Sequence, residues 1–308
     1  SHSVYQLCAV ADGLSGIISI LCYPHLCRFI RSRSKFYAVR TGYQEKDMTD
    51  AVLSIRALTV DFVVGEEKKR IIKNISLTVK NEIFAIMGET GSGKSVLAAS
   101  ILGMLPSNAI IEGTIFYKGK AISGLTEKEY NTIRGKEIAL VPQISADSLN
   151  PLLKIKSQLA VPITVHKICK TADEVYSRSC ALLKSVSLNR DVLNLYPFQL
   201  SGGMQHRVLT ALGLSCKPSV LILDEPTRGM DMMLRNEYAA LIKSIYDTEH
   251  IAIIFITHDL ELAHKLSHRC ALMYNGAIVE EGETQSVFKD RRSSYFRSLM
   301  AAMPQNLM

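Results

Sequence analysis

Four apolar runs stand out along the chain because no polar residue interrupts them: Ile83-Phe84-Ala85-Ile86-Met87, Ile138-Ala139-Leu140-Val141, Val220-Leu221-Ile222-Leu223 and Ile251-Ala252-Ile253-Ile254-Phe255-Ile256. Runs this short, with polar residues around them, predict strands buried on both faces. Residues 53–62 alternate instead, and a polar turn over residues 65–69 leads to a second segment, Ile71 to Val79. Together they predict an antiparallel sheet ahead of the Ile83 run. A further strand is expected at Gly113-Thr114-Ile115-Phe116-Tyr117, and residues 271–280 read as a hairpin turned at Asn275-Gly276. Helices are expected over residues 96–102, from Ser201 to about Cys216, from Met230-Asp231 to about Tyr246, and over residues 284–288 and 295–303. From Pro151 to Leu195 the β runs give way to leucine- and lysine-bearing helical segments. They predict an inserted helical subdomain over about residues 145–200. Strands alternating with helices make the fold α/β. There is no internal repeat and no low-complexity block.

The first 50 residues follow a different pattern. Residues 14–30 are rich in apolar side chains but are broken by Pro24, His25 and Arg28, and Arg31, Arg33 and Lys35 follow. This is short of the ~20 mostly apolar residues a bilayer span needs. It reads as an N-terminal extension, either lying on a membrane surface with its charges cytoplasmic or packing on a permease or other partner. Residues 42–47 are a polar linker into a main domain covering residues 51–308.

Chemistry enters directly after the first buried run. Gly88-Glu89-Thr90-Gly91-Ser92-Gly93-Lys94-Ser95 fits G-x-x-x-x-G-K-[ST] between a predicted strand and a predicted helix. Glycines let successive amides turn toward a phosphate, and the helix N-terminus adds positive potential. Lys94 is expected on the β- and γ-phosphates and the Ser95 hydroxyl on Mg²⁺. The run at 220–223 ends in Asp224-Glu225, which suits Asp224 to Mg²⁺ and Glu225 to polarising an attacking water. The run at 251–256 ends in Thr257-His258-Asp259, and that position lets His258 reach a γ-phosphate. Phe62 suits an adenine stack or an ordinary core position. Ser201-Gly202-Gly203 forms a second anion-binding helix start, far from the first in sequence. One nucleotide within one chain does not easily use both.

Composition narrows the class. Hydrophobic residues make up 47% and charged residues 21%, which supports a substantial core and excludes wholesale disorder. The net charge of +7 suits a nucleic-acid or anionic-membrane surface, or a soluble ATPase with a basic N-terminal segment. The 7 cysteines form no C-x-x-C pair, which argues against a disulfide framework or a zinc site and suits a reducing cytoplasm.

Taken in order, these residues resemble the ATP-binding cassette (ABC) family over roughly residues 52–303. Residues 88–95 match Walker A, Gln143 the Q-loop, residues 200–205 the signature, residues 221–225 Walker B, Asp231 the D-loop and His258 the switch histidine. The resemblance implies a P-loop NTPase cassette, with a RecA-like core, an antiparallel β subdomain and the inserted helical subdomain. It implies ATP and Mg²⁺ as cofactors. Glu225, His258 and Gln143 would act in hydrolysis, with Ser95, Gln143 and Asp224 at the metal. Phe62, the eight P-loop residues, Asp224, Ser201, Gly202, Gly203 and Asp231 would bind nucleotide. It further implies a head-to-tail pair of cassettes, each signature serving the other's ATP, on the cytoplasmic face of a membrane permease. An external substrate-binding protein would be engaged indirectly, and no nucleic acid.

Within the family, Ser148-Leu149-Asn150-Pro151 and Tyr196-Pro197-Phe198-Gln199 resemble the peptide/nickel importers, as does the closing segment from Tyr295. The Phe198-Gln199 lead and the leucines after Asn150 lean toward nickel or cobalt over oligopeptides. Departures are Arg291-Arg292-Ser293-Ser294 before the closing tyrosine, Arg228 in the D-loop, and His206-Arg207 where Gln-Arg is frequent. No cysteine-rich tail is present, so no iron-sulfur cluster is expected. The competing reading is a chromosome or DNA-repair ATPase, which normally carries long coiled coils or zinc modules between these motifs.

Overall fold

The computed structural model describes residues 35–37, 50–143 and 148–301. The apolar run at 14–30 and the linker at 42–47 lie outside them. A six-stranded sheet carries the molecule's chemistry. Its strands are β4 (Ile83–Met87), β7 (Ile138–Val141), β8 (Val220–Asp224), β9 (Ala252–Thr257), β10 (Arg269–Tyr274) and β11 (Ala277–Glu283), in the order β11-β10-β4-β9-β8-β7. All neighbours run parallel except β10 and β11. A second sheet places β1 (Lys35–Tyr37), β5 (Ala109–Tyr117), β2 (Leu53–Val64) and β3 (Glu67–Val79) side by side, with β6 (Lys120–Ala121) on β5.

Continuous apolar runs are what a sheet covered on both faces requires, and period-two alternation sorts them between two cores. Val220, Ile222, Ile254 and Ile256 face the antiparallel sheet and α1 (Lys94–Ile101). Leu221, Leu223, Ile253 and Phe255 face α3 (Ile155–Val165), α4 (Ala172–Ser185), α5 (Gly202–Gly213) and α6 (Met232–Glu249). A smaller core closes the β10 side, where Ala85 and Met87 meet α7 (Leu260–Leu266), α8 (Thr284–Asp290) and α9 (Ser294–Ala301).

The structure departs from the expected boundaries in ways the local chemistry explains. The polar turn shrinks to Gly65-Glu66, because Glu67, Lys68 and Lys69 pair with Val64, Val63 and Phe62 and extend β3. An exposed edge accepts charged side chains that a buried strand would not. A helix not anticipated, α2 (Glu127–Ile133), starts from a reciprocal capping box between Thr126 and Glu129. Asn275-Gly276 does form the hairpin turn, both residues at positive φ (47° and 81°).

Candidate active site

Three parallel strands end level with one another. Met87 pairs with Thr257, and Asp224 with Ile256. The segments that leave the carboxyl ends of β4, β8 and β9 are therefore neighbours: the P-loop, Asp224-Glu225 and His258. This is where open parallel sheets place their ligands.

The P-loop wraps tightly over β10. Gly88 sits at φ 152°, and a Cβ there would lie 2.2 Å from the Met273 carbonyl oxygen. Gly93, at φ 104°, likewise meets the Met273 side chain and the Ile71 carbonyl. The Gly276 amide donates to the Ser92 carbonyl at 3.0 Å, so the β10–β11 hairpin braces the loop from below. Lys94 is buried, and its Nζ donates to the carbonyls of Gly88 (2.7 Å) and Glu89 (2.9 Å). That ammonium also stands 3.7 Å from Glu225 Oε1, while Glu225 Oε2 lies 2.6 Å from His258 Nδ1. Lysine, glutamate and histidine from the segments after three strands thus form one chain of contacts. Glu225 itself has left-handed backbone, φ 49°, a strained conformation for a residue with a side chain.

Burial dominates the electrostatics of the site. Burial pushes the Asp224 carboxyl pKa up, adjacent Glu225 adds to that, and the Ser95 hydroxyl and Lys94 oppose it. Burial pushes the Lys94 ammonium pKa down, against the pull of Glu225 and Asp224. Four buried side-chain polar atoms among the described residues lack a hydrogen-bond partner: Ser92 Oγ, Asp224 Oδ1, Tyr295 Oη and Tyr130 Oη. The first two belong to this site, and Tyr295 lies against Glu89 of the loop. Orphaned buried groups are costly and are kept where a ligand satisfies them. The donor set fits Mg²⁺ with a nucleotide: one hydroxyl, one orphaned carboxylate oxygen, and amides for phosphate. Among the described residues no cluster of three His, Cys, Asp or Glu side chains offers a self-sufficient metal cage. Mg²⁺ held jointly with phosphates does not need one.

Other residues singled out from sequence are placed as follows. Thr90, Gly91 and Ser95 are exposed on the loop, and Gln143 is half-buried just after β7. Phe62 is half-buried on β2 and packs against the inter-sheet core. Ser201 caps α5, its Oγ accepting from the Met204 amide at 3.3 Å, and both Ser201 and Gly202 are exposed. Asp231 caps α6 through the Leu234 amide at 2.8 Å. Sequence reasoning missed the bracing role of Met273 and Gly276, which comes from the Gly276 amide and from both the carbonyl and the side chain of Met273 across the sheet. It also missed an exposed apolar patch at the foot of the helical segment. Leu152 (79% exposed) and Phe198 (73%) stand out there, Phe198 stacks on Tyr196 at 5.6 Å, and Lys154 sits over Tyr196.

Comparison with known proteins agrees with this geometry. The family model described as "ABC transporter" matches residues 72–228, which contain the P-loop, the signature and Asp224-Glu225. The chain belongs to the ABC transporter family. This cassette is 39% identical over 261 residues to the oligopeptide transport ATP-binding protein AmiE of Streptococcus pneumoniae, covering 83% of the chain and 73% of the relative. It is 38% identical over 252 residues to the dipeptide transport ATP-binding protein DppD of Caldanaerobacter subterraneus, covering 81% of the chain and 77% of the relative. Among solved structures, the ATP-binding cassette MJ0796, a dimer bound to ADP and Pi, superposes with a TM-score of 0.68. It is 27% identical and covers 75% of this chain and 98% of its own. The cassette is an ATPase of this family, and its fold is the expected P-loop cassette. The DNA-associated alternative finds no support. No helix among the described residues is long and apolar enough to cross a membrane.

Proposed function

We propose that this cassette is the ATP-hydrolysing subunit of an importer for dipeptides or oligopeptides, working at the cytoplasmic face of a permease and paired with a second cassette. The observation that carries the hydrolytic assignment is the Lys94–Glu225–His258 cluster beside the orphaned oxygen of Asp224. In this reading the P-loop amides and Lys94 hold the phosphates. Ser95, Asp224 and Gln143 would hold Mg²⁺, which would neutralise charge on the phosphate oxygens. Glu225 accepts a proton from the attacking water. His258, on Glu225 Oε2, orients that carboxylate and faces the γ-phosphate. The half-buried ring of Phe62 carries the adenine. Ser201 and Gly202 are exposed at the start of α5, which supports Ser201, Gly202 and Gly203 serving the nucleotide of the second cassette, with Asp231 at the shared face. The patch of Leu152, Tyr196 and Phe198 supports docking of the permease, since an exposed aromatic-apolar surface seeks a partner.

Peptide cargo is favoured by the named transport roles of the similar proteins. The lean toward nickel or cobalt rests only on the residues around Asn150 and Phe198. Uptake in cells carrying the Glu225→Gln protein separates them. Loss of labelled di- and oligopeptide uptake with unchanged nickel and cobalt content is the expected result. The reverse result would transfer the cassette to metal import.

A further inference from the structure

Nδ1 of His206 lies 2.7 Å from the carbonyl oxygen of Pro226. A carbonyl only accepts, so Nδ1 carries the proton. Both residues are buried. Pro226 directly follows Glu225, and His206 stands in the second turn of α5, the helix that Ser201-Gly202-Gly203 opens. The contact therefore joins the signature helix to the strained turn that aims the glutamate.

A left-handed glutamate persists only where its surroundings impose it. Three hydrogen bonds reach the backbone of Glu225 and Pro226 in this turn. The Glu225 amide donates to Ile256 O at 2.9 Å, the Arg228 amide donates to Glu225 O at 3.2 Å, and His206 donates to Pro226 O. The first is to β9 and the second lies within the turn, whereas the third comes from α5. His206 is itself fixed. Thr210 Oγ1 donates to the His206 carbonyl at 2.9 Å, so the Tyr238 hydroxyl, 2.8 Å away, must donate to Thr210. The Tyr238 ring stands edge-on to the imidazole, with centroids 6.2 Å apart. One buried network thus locks α5, α6 and the turn after β8 together.

We infer that His206 is a positioning residue for ATP hydrolysis. Its hydrogen bond to Pro226 holds the Glu225 carboxylate in place and ties it to the helix whose N-terminus serves the second cassette. A displacement of α5 at that end moves the Pro226 carbonyl with it. The inference rests on Glu225 acting as the base.

His206→Phe keeps the ring and removes the donor, whereas His206→Asn places an N–H at the position of Nδ1. Steady-state ATPase, binding of a fluorescent ATP analogue and thermal melting of the full chain are compared. In His206→Phe, kcat is expected to fall about tenfold, the effect of one lost hydrogen bond to a buried carbonyl. KM and analogue affinity should stay within about twofold. His206→Asn should recover most of kcat. Normal turnover by His206→Phe, or an Asn variant as slow as the Phe variant, would overturn the proposal. If His206→Phe does not fold, the Asn variant decides alone: retained kcat supports the hydrogen bond, and a tenfold loss with fold and binding intact refutes it. Glu225→Gln measured alongside separates the two claims. Normal turnover there removes the base assignment itself, whereas a dead Glu225→Gln beside a normal His206→Phe removes only the positioning role.

Discussion

Two helix starts in this cassette carry the glycine-rich amide pattern that suits anions, and they are finished to different degrees. At the P-loop Lys94, Ser92 and both carboxylates are buried, with Lys94 5%, Ser92 5%, Asp224 7% and Glu225 8% exposed, while Thr90, Gly91 and Ser95 stay open at the mouth. The loop is braced by a hairpin from below, and its lysine is already paired with the glutamate. At the start of α5, Ser201 and Gly202 are exposed, and a Cβ on Gly202 would meet nothing within 4 Å. The P-loop site is assembled inside one chain. The α5 start is open to solvent, and in the proposed reading it needs a second surface to become a site. The contrast in burial supports a division of the apparatus between two chains.

The largest test of that comparison is Glu225→Gln. Loss of a general base is expected to lower kcat by about 10²–10⁴. ATP binding should persist, and size-exclusion chromatography should show an ATP-dependent dimer. Turnover close to normal would mean the buried end is not where water is activated. Next is Lys94→Ala, which leaves Glu225 without its ammonium and the phosphates without their cation. Removing one member of a buried charge pair costs about 2–5 kcal/mol, so calorimetric ATP affinity should fall by roughly 30- to 4,000-fold. Ser201→Arg sharpens the contrast from the other end. A long side chain over the α5 amides should lower kcat about tenfold while leaving ATP affinity within about threefold, if the affected amides serve another nucleotide as proposed. Equal loss of affinity in the Ser201 and Lys94 variants would mean both starts hold the same ATP, and the division between buried and open halves would collapse.

The smallest effect concerns stability. The Asp224 pKa is raised in the folded chain by burial, so its favourable contribution exists below the unfolded value of 3.8 and is lost as pH rises through the raised folded value. Above that folded value the carboxylate is ionised at a desolvation cost that Ser95 and Lys94 only partly offset. Asp224→Asn is expected to raise the melting temperature of the nucleotide-free protein by roughly 2–4 °C, about 1 kcal/mol for a chain of this size. The gain should fade toward acid pH, and Mg²⁺-dependent turnover should be lost. A lower melting temperature at neutral pH would show that Asp224 is already satisfied without a ligand.

Much of the fold was legible because its signals are local. Buried parallel strands must be continuously apolar, so β4, β7, β8 and β9 appear in the sequence to within a residue or two. The glycine pattern of residues 88–95 was legible for a similar reason, since tight turns that expose amides admit few other residues. The start of β3 was not, because Glu67 and Lys68 have turn-like composition and only their pairing with Val64 and Val63 makes them strand. The short α2 carried its signal in Thr126 and Glu129 rather than in apolar periodicity.

The sequence alone determined the chemical inventory: a phosphate cradle, two carboxylates after an apolar run, a histidine after another, and a second helix start. These depend on residue type and spacing within a few positions, where chain geometry leaves little choice. Tertiary structure decided which of them meet. Strand order and register bring Lys94, Glu225 and His258, separated by more than a hundred positions from first to last, within hydrogen-bonding or ion-pair reach. The same packing sets His206 against Pro226, and leaves Asp224 with an oxygen that nothing in the described chain satisfies. Pairing across a sheet and desolvation in a core are properties of distant residues acting together, so no local stretch of sequence records them.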